Sequence, residues 1–312
     1  MEEKQKFPTA TGFSGKILIA SLFILSGILL FARNMGWITS EVFDMIVSWH
    51  SLLIILGIYS MIRRHFIGGI ILFLAAYISS KSREMRQWKK MVIPFLFAIP
   101  IIVIVGIENL STCIILLAIS FIMIFVATPL LVPFVVIGLI GVAGAGGLLL
   151  TQGYRMERIT VWLDPAASEK GHQTIQGLYA IGSGGLFGKG LGQSMQKLGF
   201  LPEANNDMIF SVICEELGLF GALCVLALFF ALIWRFMVIA VNAPDLYGSM
   251  IVVGVIAHIG IQVFINIAVA TNTIPNTGIP LPFISYGGSS LVFMLLEMGL
   301  VLSVSRYINV KK

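Results

Sequence analysis

The chain has 312 residues, of which 58% are hydrophobic and only 11% are charged. A soluble domain has about 25% charged residues, so this composition excludes an ordinary soluble protein and indicates a membrane protein. The formal net charge is +5, but the basic residues lie in loops between apolar segments, where anionic lipid headgroups and the positive-inside rule account for them. Nucleic acid is therefore not an expected partner. The three cysteines fit no metal-ligand spacing, so neither a disulfide nor a metal site is expected.

Nine apolar segments have the length and composition of membrane-spanning helices. The predicted fold is therefore an all-α polytopic membrane protein of about nine transmembrane helices with one large extracytoplasmic loop. The polar start of the chain has no small-residue cleavage site after the first apolar segment, so that segment is expected to be retained. The predicted helices cover approximately residues 16–32, 46–62, 66–80, 91–106, 112–127, 130–150, 208–235, 246–270 and 288–305.

Loop charges predict the orientation. The segment 81–90, "KSREMRQWKK", has five basic residues against one acidic residue and is expected to be cytoplasmic. Counting spans from it places the segment 151–207 outside and the carboxyl terminus inside. The same count places the amino terminus outside. It also places the loop between the second and third spans outside, although its basic residues Arg63 and Arg64 favour the cytoplasm. The alternative is that one of the first two apolar segments does not cross the membrane completely.

The outer segment 151–207 is long for a loop, and such loops are usually functional or disordered. Its aromatic and leucine residues predict short helices and turns packed on the membrane domain. Cations, amides and clustered glycines dominate its polar residues, a mixture that suits an anionic, sugar-bearing ligand such as a diphosphate. Flexible turns on a membrane surface are an equally good interpretation of the glycines, which match neither a dinucleotide-binding loop nor a P-loop.

Five acidic or basic side chains stand out because they lie at or within spans. Asp207 precedes the seventh span, where it can cap the helix and be held ionised by the helix dipole, or can act chemically. Glu215 and Glu216 would lie about 12 Å further along the axis and need partners in the bundle. His258 and Glu297 favour bundle contacts over a proton path. The irregular segment 273–290, with three prolines and three glycines, is a plausible cavity wall.

Two long motifs carry a family resemblance. "SGGLFGKGLGQSMQKLGFLPEANNDMIFSVICEELGLFGAL" followed by "PNTGIPLPFISYGGSSL" closely resembles the SEDS proteins (shape, elongation, division and sporulation) of the FtsW and RodA type. "RMERITVWLDP" and "ENLSTCII" are similar to further parts of that family, and the resemblance covers about residues 70–310. It implies a peptidoglycan glycosyltransferase of the bacterial cytoplasmic membrane, in which Asp207 matches the essential aspartate.

The first 65 residues differ from that family, with two apolar segments in place of three. The stretch from residue 17 to 69 instead resembles the membrane segment of LiaF-type envelope-stress proteins, which suggests a fused or recombined gene. The predicted organisation is therefore an atypical membrane segment, 1–65, and a SEDS-like domain, 66–312, that includes the loop 151–207. The sequence does not determine whether a chain with this altered amino-terminal segment keeps the glycosyltransferase activity.

The resemblance implies that lipid II is polymerised by attack of an acceptor 4-hydroxyl on the anomeric carbon of the growing glycan, with release of undecaprenyl diphosphate. Asp207 would be the general base, since diphosphate leaves without acid assistance. No cofactor is obligatory, and a divalent cation (Mg²⁺ or Mn²⁺) could accompany the diphosphate. The expected partners are lipid II and undecaprenyl-linked glycan, a class B penicillin-binding transpeptidase, and other membrane proteins of the divisome or elongasome. The candidate substrate-binding residues are Arg155, Arg158, Lys189, Lys197, Gln173, Glu203, Asn276 and Ser285.

Two alternatives stay open from the sequence. A transporter of lipid-linked precursors would need a polar path through the spans, lined by Glu215, Glu216, His258 and Glu297. A hybrid that binds the division or elongation machinery without polymerising lipid II would explain the altered amino-terminal segment. The motifs do not distinguish division, elongation and sporulation.

Overall fold

The computed structural model describes residues 66–82, 88–128, 153–168 and 171–308, with a few isolated positions between 135 and 144. The chain divides into two units, and all of these residues belong to the second, Arg64–Lys312. The helices predicted at 16–32 and 46–62, and most of the one at 130–150, lie outside the described residues. The count of nine spans therefore stays a prediction.

The described residues contain eight α-helices and two short 3₁₀ segments. The helices are α1 Phe66–Ser80, α2 Trp88–Glu108, α3 Leu110–Ala127, α4 Gly153–Leu163, α5 His172–Gly184, α6 Ile209–Val241, α7 Leu246–Ala270 and α8 Gly288–Arg306. Six of them correspond to predicted spans, namely α1, α2, α3, α6, α7 and α8. Helices α4 and α5 form part of the outer segment, as its aromatic residues predicted.

Four of these helices, α3, α6, α7 and α8, are long and apolar enough to cross a membrane. The apolar parts of α1 and α2 are shorter. Helix α7 is central, since it packs against α1, α3, α6 and α8. A side chain at Gly254 of α7 would come within 2.6 Å of Ile71 of α1, so this glycine permits the close approach of the two helices.

Helix α6 differs from its predicted form. It extends to Val241, beyond the expected end near residue 235, and its backbone leaves the helical conformation at Gly218, with φ 68° and ψ −168°. Its 33 residues would measure about 50 Å if straight, well beyond a hydrocarbon core of about 30 Å. The part after Gly218 is long enough to span by itself.

Candidate functional site

Asp207 lies two residues before the start of α6 and is buried, with 8% of its surface exposed. The helix cap is Met208, without a side-chain capping bond, so the prediction that Asp207 caps α6 is wrong. Its carboxylate instead accepts from Gln173 Nε2 at 3.4 and 3.5 Å. The side chain is thereby directed toward α5 and the outer segment.

A chain of hydrogen bonds joins Asp207 to three other residues that the sequence selected. Gln173, which donates to Asp207, also accepts a bond from Asn276 Nδ2 at its Oε1, at 3.1 Å. The backbone carbonyl of Asn276 in turn accepts from Arg158 Nη1 at 3.1 Å. Asp207, Gln173, Asn276 and Arg158 come from four separate segments. The structure therefore connects three of the eight predicted substrate-binding residues to the predicted catalytic carboxylate. Arg155 lies one helical turn before Arg158 in α4, and its side chain is outside the described residues.

The backbone around Asp207 is fixed by a buried amide that sequence reasoning did not select. Asn266 Nδ2 of α7 donates to the Asp207 carbonyl at 2.8 Å and to the Ile279 carbonyl at 2.9 Å. Asn266 thus ties the segment before α6 to the irregular segment 273–290. The sequence does contain a pattern that indicates this residue. Asn266 lies four residues after Gln262 and eight after His258, so the three polar side chains share one face of an apolar helix.

Ser285 and Glu203 lie on the other side of Asp207. The Ser285 hydroxyl donates to the Asn206 carbonyl at 2.7 Å and accepts from the Leu281 amide at 2.7 Å. Glu203 has a left-handed backbone, φ 53°, and accepts from the Asn206 side chain. Both residues line a cavity next to Asp207, so the structure brings them to the site, although the Ser285 hydroxyl is occupied by backbone bonds.

Two cavities meet at Asp207 and Gly278, which line both. The first measures about 320 Å³, and the described residues that line it include no Lys, Arg or His. The second measures about 400 Å³ and contains a cation, Arg158. The first is lined by Glu203, Asn206, Asp207, Gly278, Pro280, Leu281, Phe283, Ser285, Tyr286, Gly287, Ser290 and Leu291. The second is lined by Glu157, Arg158, Val161, Trp162, Gln173, Thr174, Asp207, Asn272, Asn276 and Gly278.

The electrostatic environment of Asp207 differs from the prediction. Burial raises the pKa of its carboxyl group above 3.8, and the nearby Glu203 carboxylate raises it further, while hydrogen bonds from backbone amides and Gln173 oppose the shift. Burial therefore outweighs the interactions at the helix terminus that were expected to lower this pKa. A buried carboxylate with a raised pKa is a stronger base than an ordinary aspartate.

The cations of the glycine-rich segment have other partners. Lys189 Nζ binds Glu215 Oε1 at 2.7 Å, and Lys197 Nζ binds Glu216 Oε1 at 2.5 Å. Glu215, which is fully buried, also accepts from the Ser194 hydroxyl and from two backbone amides. The predicted structural role of the two glutamates is confirmed, but the expectation that their partners lie in the bundle is wrong, because these partners belong to the outer segment. Neither lysine lines the cavities beside Asp207.

His258 and Glu297 form a buried pair between α7 and α8, with His258 Nδ1 2.8 Å from Glu297 Oε2. This confirms the predicted bundle contact. Among the described residues, no group of three or more His, Cys, Asp or Glu side chains gathers to hold a metal ion.

The apolar helices, with a polar site at the junction of α5, α6 and α7, define a multi-pass α-helical membrane protein. A protein-family model described as "Cell cycle protein", which covers FtsW, RodA and SpoVE, matches residues 66–310. The chain therefore belongs to the FtsW/RodA/SpoVE family. A second model, the LiaF transmembrane domain, matches residues 18–112. That similarity continues further along the chain than the sequence comparison predicted.

Curated relatives and solved structures agree with this assignment. Stage V sporulation protein E of Bacillus subtilis (strain 168) is 47% identical over 245 residues, which cover 77% of this chain and 66% of the relative. A probable peptidoglycan glycosyltransferase FtsW of Saccharophagus degradans is 33% identical over 305 residues, covering 95% of this chain and 76% of the relative. For three of the curated relatives, this chain spans 66%, 66% and 63% of their length, just under two thirds.

Two solved structures share the fold. A chain of a peptidoglycan synthase complex that coordinates polymerization and crosslinking superposes with a TM-score of 0.63 at 26% identity, covering 79% of this chain and 70% of that one. The rod shape determining protein RodA of Thermus thermophilus gives a TM-score of 0.52 at 26% identity, with 78% and 64% covered.

Proposed function

We propose that this protein is a peptidoglycan glycosyltransferase that polymerises lipid II at the outer face of the bacterial cytoplasmic membrane. The observation that carries the proposal is a buried carboxylate, Asp207, at the junction of two cavities of which one contains Arg158. The relatives named as glycosyltransferases support the same reaction class.

In the proposed reaction Asp207 is the only acid–base group. The acceptor 4-hydroxyl oxygen bonds to the anomeric carbon of the donor, and the hydroxyl proton moves to the Asp207 carboxylate. The bond between that carbon and the diphosphate oxygen breaks, and its electron pair leaves with the diphosphate. One carboxylate is sufficient because diphosphate is already a good leaving group.

The charge of the cavities suggests which substrate each one holds. The leaving diphosphate is directly attached to the reacting carbon, so the donor suits the second cavity, where Arg158 can neutralise developing charge. The acceptor reacts at the sugar end remote from its own diphosphate. It suits the first cavity, where Phe283, Tyr286 and Ser290 offer aromatic faces and a hydroxyl to a neutral sugar.

The remaining predictions about cellular context belong to the same proposal. We expect a class B penicillin-binding transpeptidase as partner, which agrees with the similarity to a synthase complex that coordinates polymerization and crosslinking, and a cytoplasmic carboxyl terminus. A divalent cation with the diphosphate stays a prediction that chelation of the assay would test. Lys189 and Lys197 are poorer candidates for diphosphate than Arg158, since neither lysine lines the cavities beside Asp207.

The transporter alternative fits the geometry less well. It requires Glu215, Glu216, His258 and Glu297 to line one polar path through the spans. Instead the first two bind the outer segment, and the last two bind each other. The polymerase therefore remains the better conclusion.

The test is polymerisation of purified lipid II by the protein in nanodiscs with its transpeptidase, followed by separation of glycan strands on a gel. The proposal predicts strands from the parent and none from Asp207→Asn. The matched control is Asp164→Asn, because Asp164 is an exposed aspartate of the same outer segment whose capping bond to Ala167 an asparagine can replace. Transpeptidase binding without strands from the parent would select the inactive hybrid.

A further inference from the structure

The glycine-rich loop, residues 185–200, has the reverse of the polarity expected of a loop in water. Its two charged residues, Lys189 and Lys197, bind Glu215 and Glu216 and are only 34% and 28% exposed. Its large apolar side chains point outward instead, each more than half exposed. These are Leu186 64%, Phe187 81%, Leu191 76%, Met195 56%, Leu198 71% and Phe200 54%.

Backbone hydrogen bonds fix the position of this loop along the axis of α6. Gly218 interrupts the helix, and the amides that follow it donate to the loop: Leu219 N to the Gly185 carbonyl at 2.9 Å and Phe220 N to the Leu186 carbonyl at 3.0 Å. In return, Lys189 N and Gly190 N donate to the carbonyls of Glu215 and Glu216, both at 2.9 Å. The loop is therefore rigidly joined to the break in the helix.

The length of α6 beyond Gly218 suits a span that begins at the break, with the break near the outer boundary of the bilayer. From Leu219 to the end of α6 at Val241 the helix is about 34 Å long, slightly more than a hydrocarbon core of about 30 Å. Leu219, Phe220 and Leu223 at the outer end of this span are 52%, 65% and 54% exposed. The apolar side chains of the loop thus continue the exposed apolar surface at this end of α6.

We propose that the glycine-rich loop inserts its apolar side chains into the outer leaflet and anchors the outer segment to the membrane. Inward-facing charges and outward-facing leucine and phenylalanine are what an interfacial segment requires, because apolar side chains enter the headgroup boundary while ionic groups must be paired. An apolar surface of this extent left in water would favour aggregation. The anchor does not depend on the proposed catalytic activity.

Site-directed spin labelling tests this anchor in the protein alone. The background variant carries Cys224→Ala, since Cys224 is exposed while Cys113 and Cys214 are buried. Nitroxides are attached after Leu191→Cys or Leu198→Cys in nanodiscs, and power saturation compares collisions with oxygen and with a nickel chelate. Leu228→Cys, at a 71% exposed position within the span, gives the lipid reference, and Asp164→Cys gives the water reference.

The anchor predicts that both loop labels collide more with oxygen than with nickel, as the Leu228 label does. Collision ratios equal to those of the Asp164 label would overturn it. A second measurement, with the class B transpeptidase added, tests whether a protein covers the surface instead of lipid. Labels that collide with nickel in the protein alone, and are protected only when the transpeptidase is present, would assign the surface to a protein interface and reject lipid insertion. An unchanged unfolding temperature of each labelled variant verifies that the loop is still folded onto Glu215 and Glu216.

Discussion

Replacing Lys189 by methionine separates a structural role from a ligand-binding one. The change keeps the length of the side chain but removes the charge that faces Glu215 Oε1 at 2.7 Å. If the lysine stabilises the loop, the free energy of unfolding falls. If it binds diphosphate, stability is retained and lipid II binding weakens.

The expected magnitude follows from the burial of the two partners. Removing one member of a buried ion pair costs about 3–5 kcal/mol. Lys189 is 34% exposed, so water can replace part of its interaction, and Glu215 keeps four other donors. We therefore expect Lys189→Met to lower the unfolding free energy by about 1–2 kcal/mol.

A double-mutant cycle with Glu215→Gln measures the pair directly. The two single changes and the double change are unfolded by heat or denaturing detergent in the same micelle. A coupling energy of about 1 kcal/mol is expected for side chains in contact. A coupling near zero, with unfolding unchanged by Lys189→Met and a raised KM for lipid II, would refute the structural role.

Three further predictions concern the site and its support. Asn266→Ala leaves two buried carbonyls without a donor and should lower the unfolding free energy by about 2–4 kcal/mol and the kcat of lipid II polymerisation about tenfold or more; unfolding and initial rates measure these. Because the pKa of Asp207 is raised, activity should fall with decreasing pH at a midpoint above 3.8, and ionisation should cost stability above that pKa, so Asp207→Asn should be at least as stable as the parent at pH 7. A midpoint at or below 3.8 would contradict this. Gly184→Ala puts a Cβ 1.9 Å from the Cys214 carbonyl and should destabilise the protein by about 3 kcal/mol, whereas Gly182→Ala, with nothing within 4 Å, should not; equal unfolding temperatures would contradict the contact.

Apolar length alone predicted most of the helices. The expected bounds 66–80 and 246–270 coincide with α1 and α7, because hydrophobic segments bounded by charged or polar residues have few alternatives in a membrane. The break at Gly218 was not predicted. A glycine in an apolar run is usually tolerated within a helix, and only the approach of Gly188 and Leu186 to its backbone explains the change of conformation there.

The candidate site was only partly predictable for a related reason. Composition and motif pointed to Asp207, Gln173, Asn276 and Arg158 but did not specify their hydrogen bonds. Lysines in a glycine-rich loop suggest an anion, and the sequence does not distinguish a bound diphosphate from a buried glutamate 26 residues further along the chain. The partners of Lys189 are set by tertiary packing, which local patterns do not encode.

The central claim is that Asp207 accepts the acceptor proton, and the rate of Asp207→Asn tests it most directly. General-base catalysis contributes about 10²–10⁴-fold, so polymerisation of lipid II by this variant should fall at least 100-fold while lipid II binding and the unfolding temperature match those of Asp164→Asn. A polymerisation rate within a few-fold of the parent, in a variant that is folded and binds lipid II normally, would contradict the account.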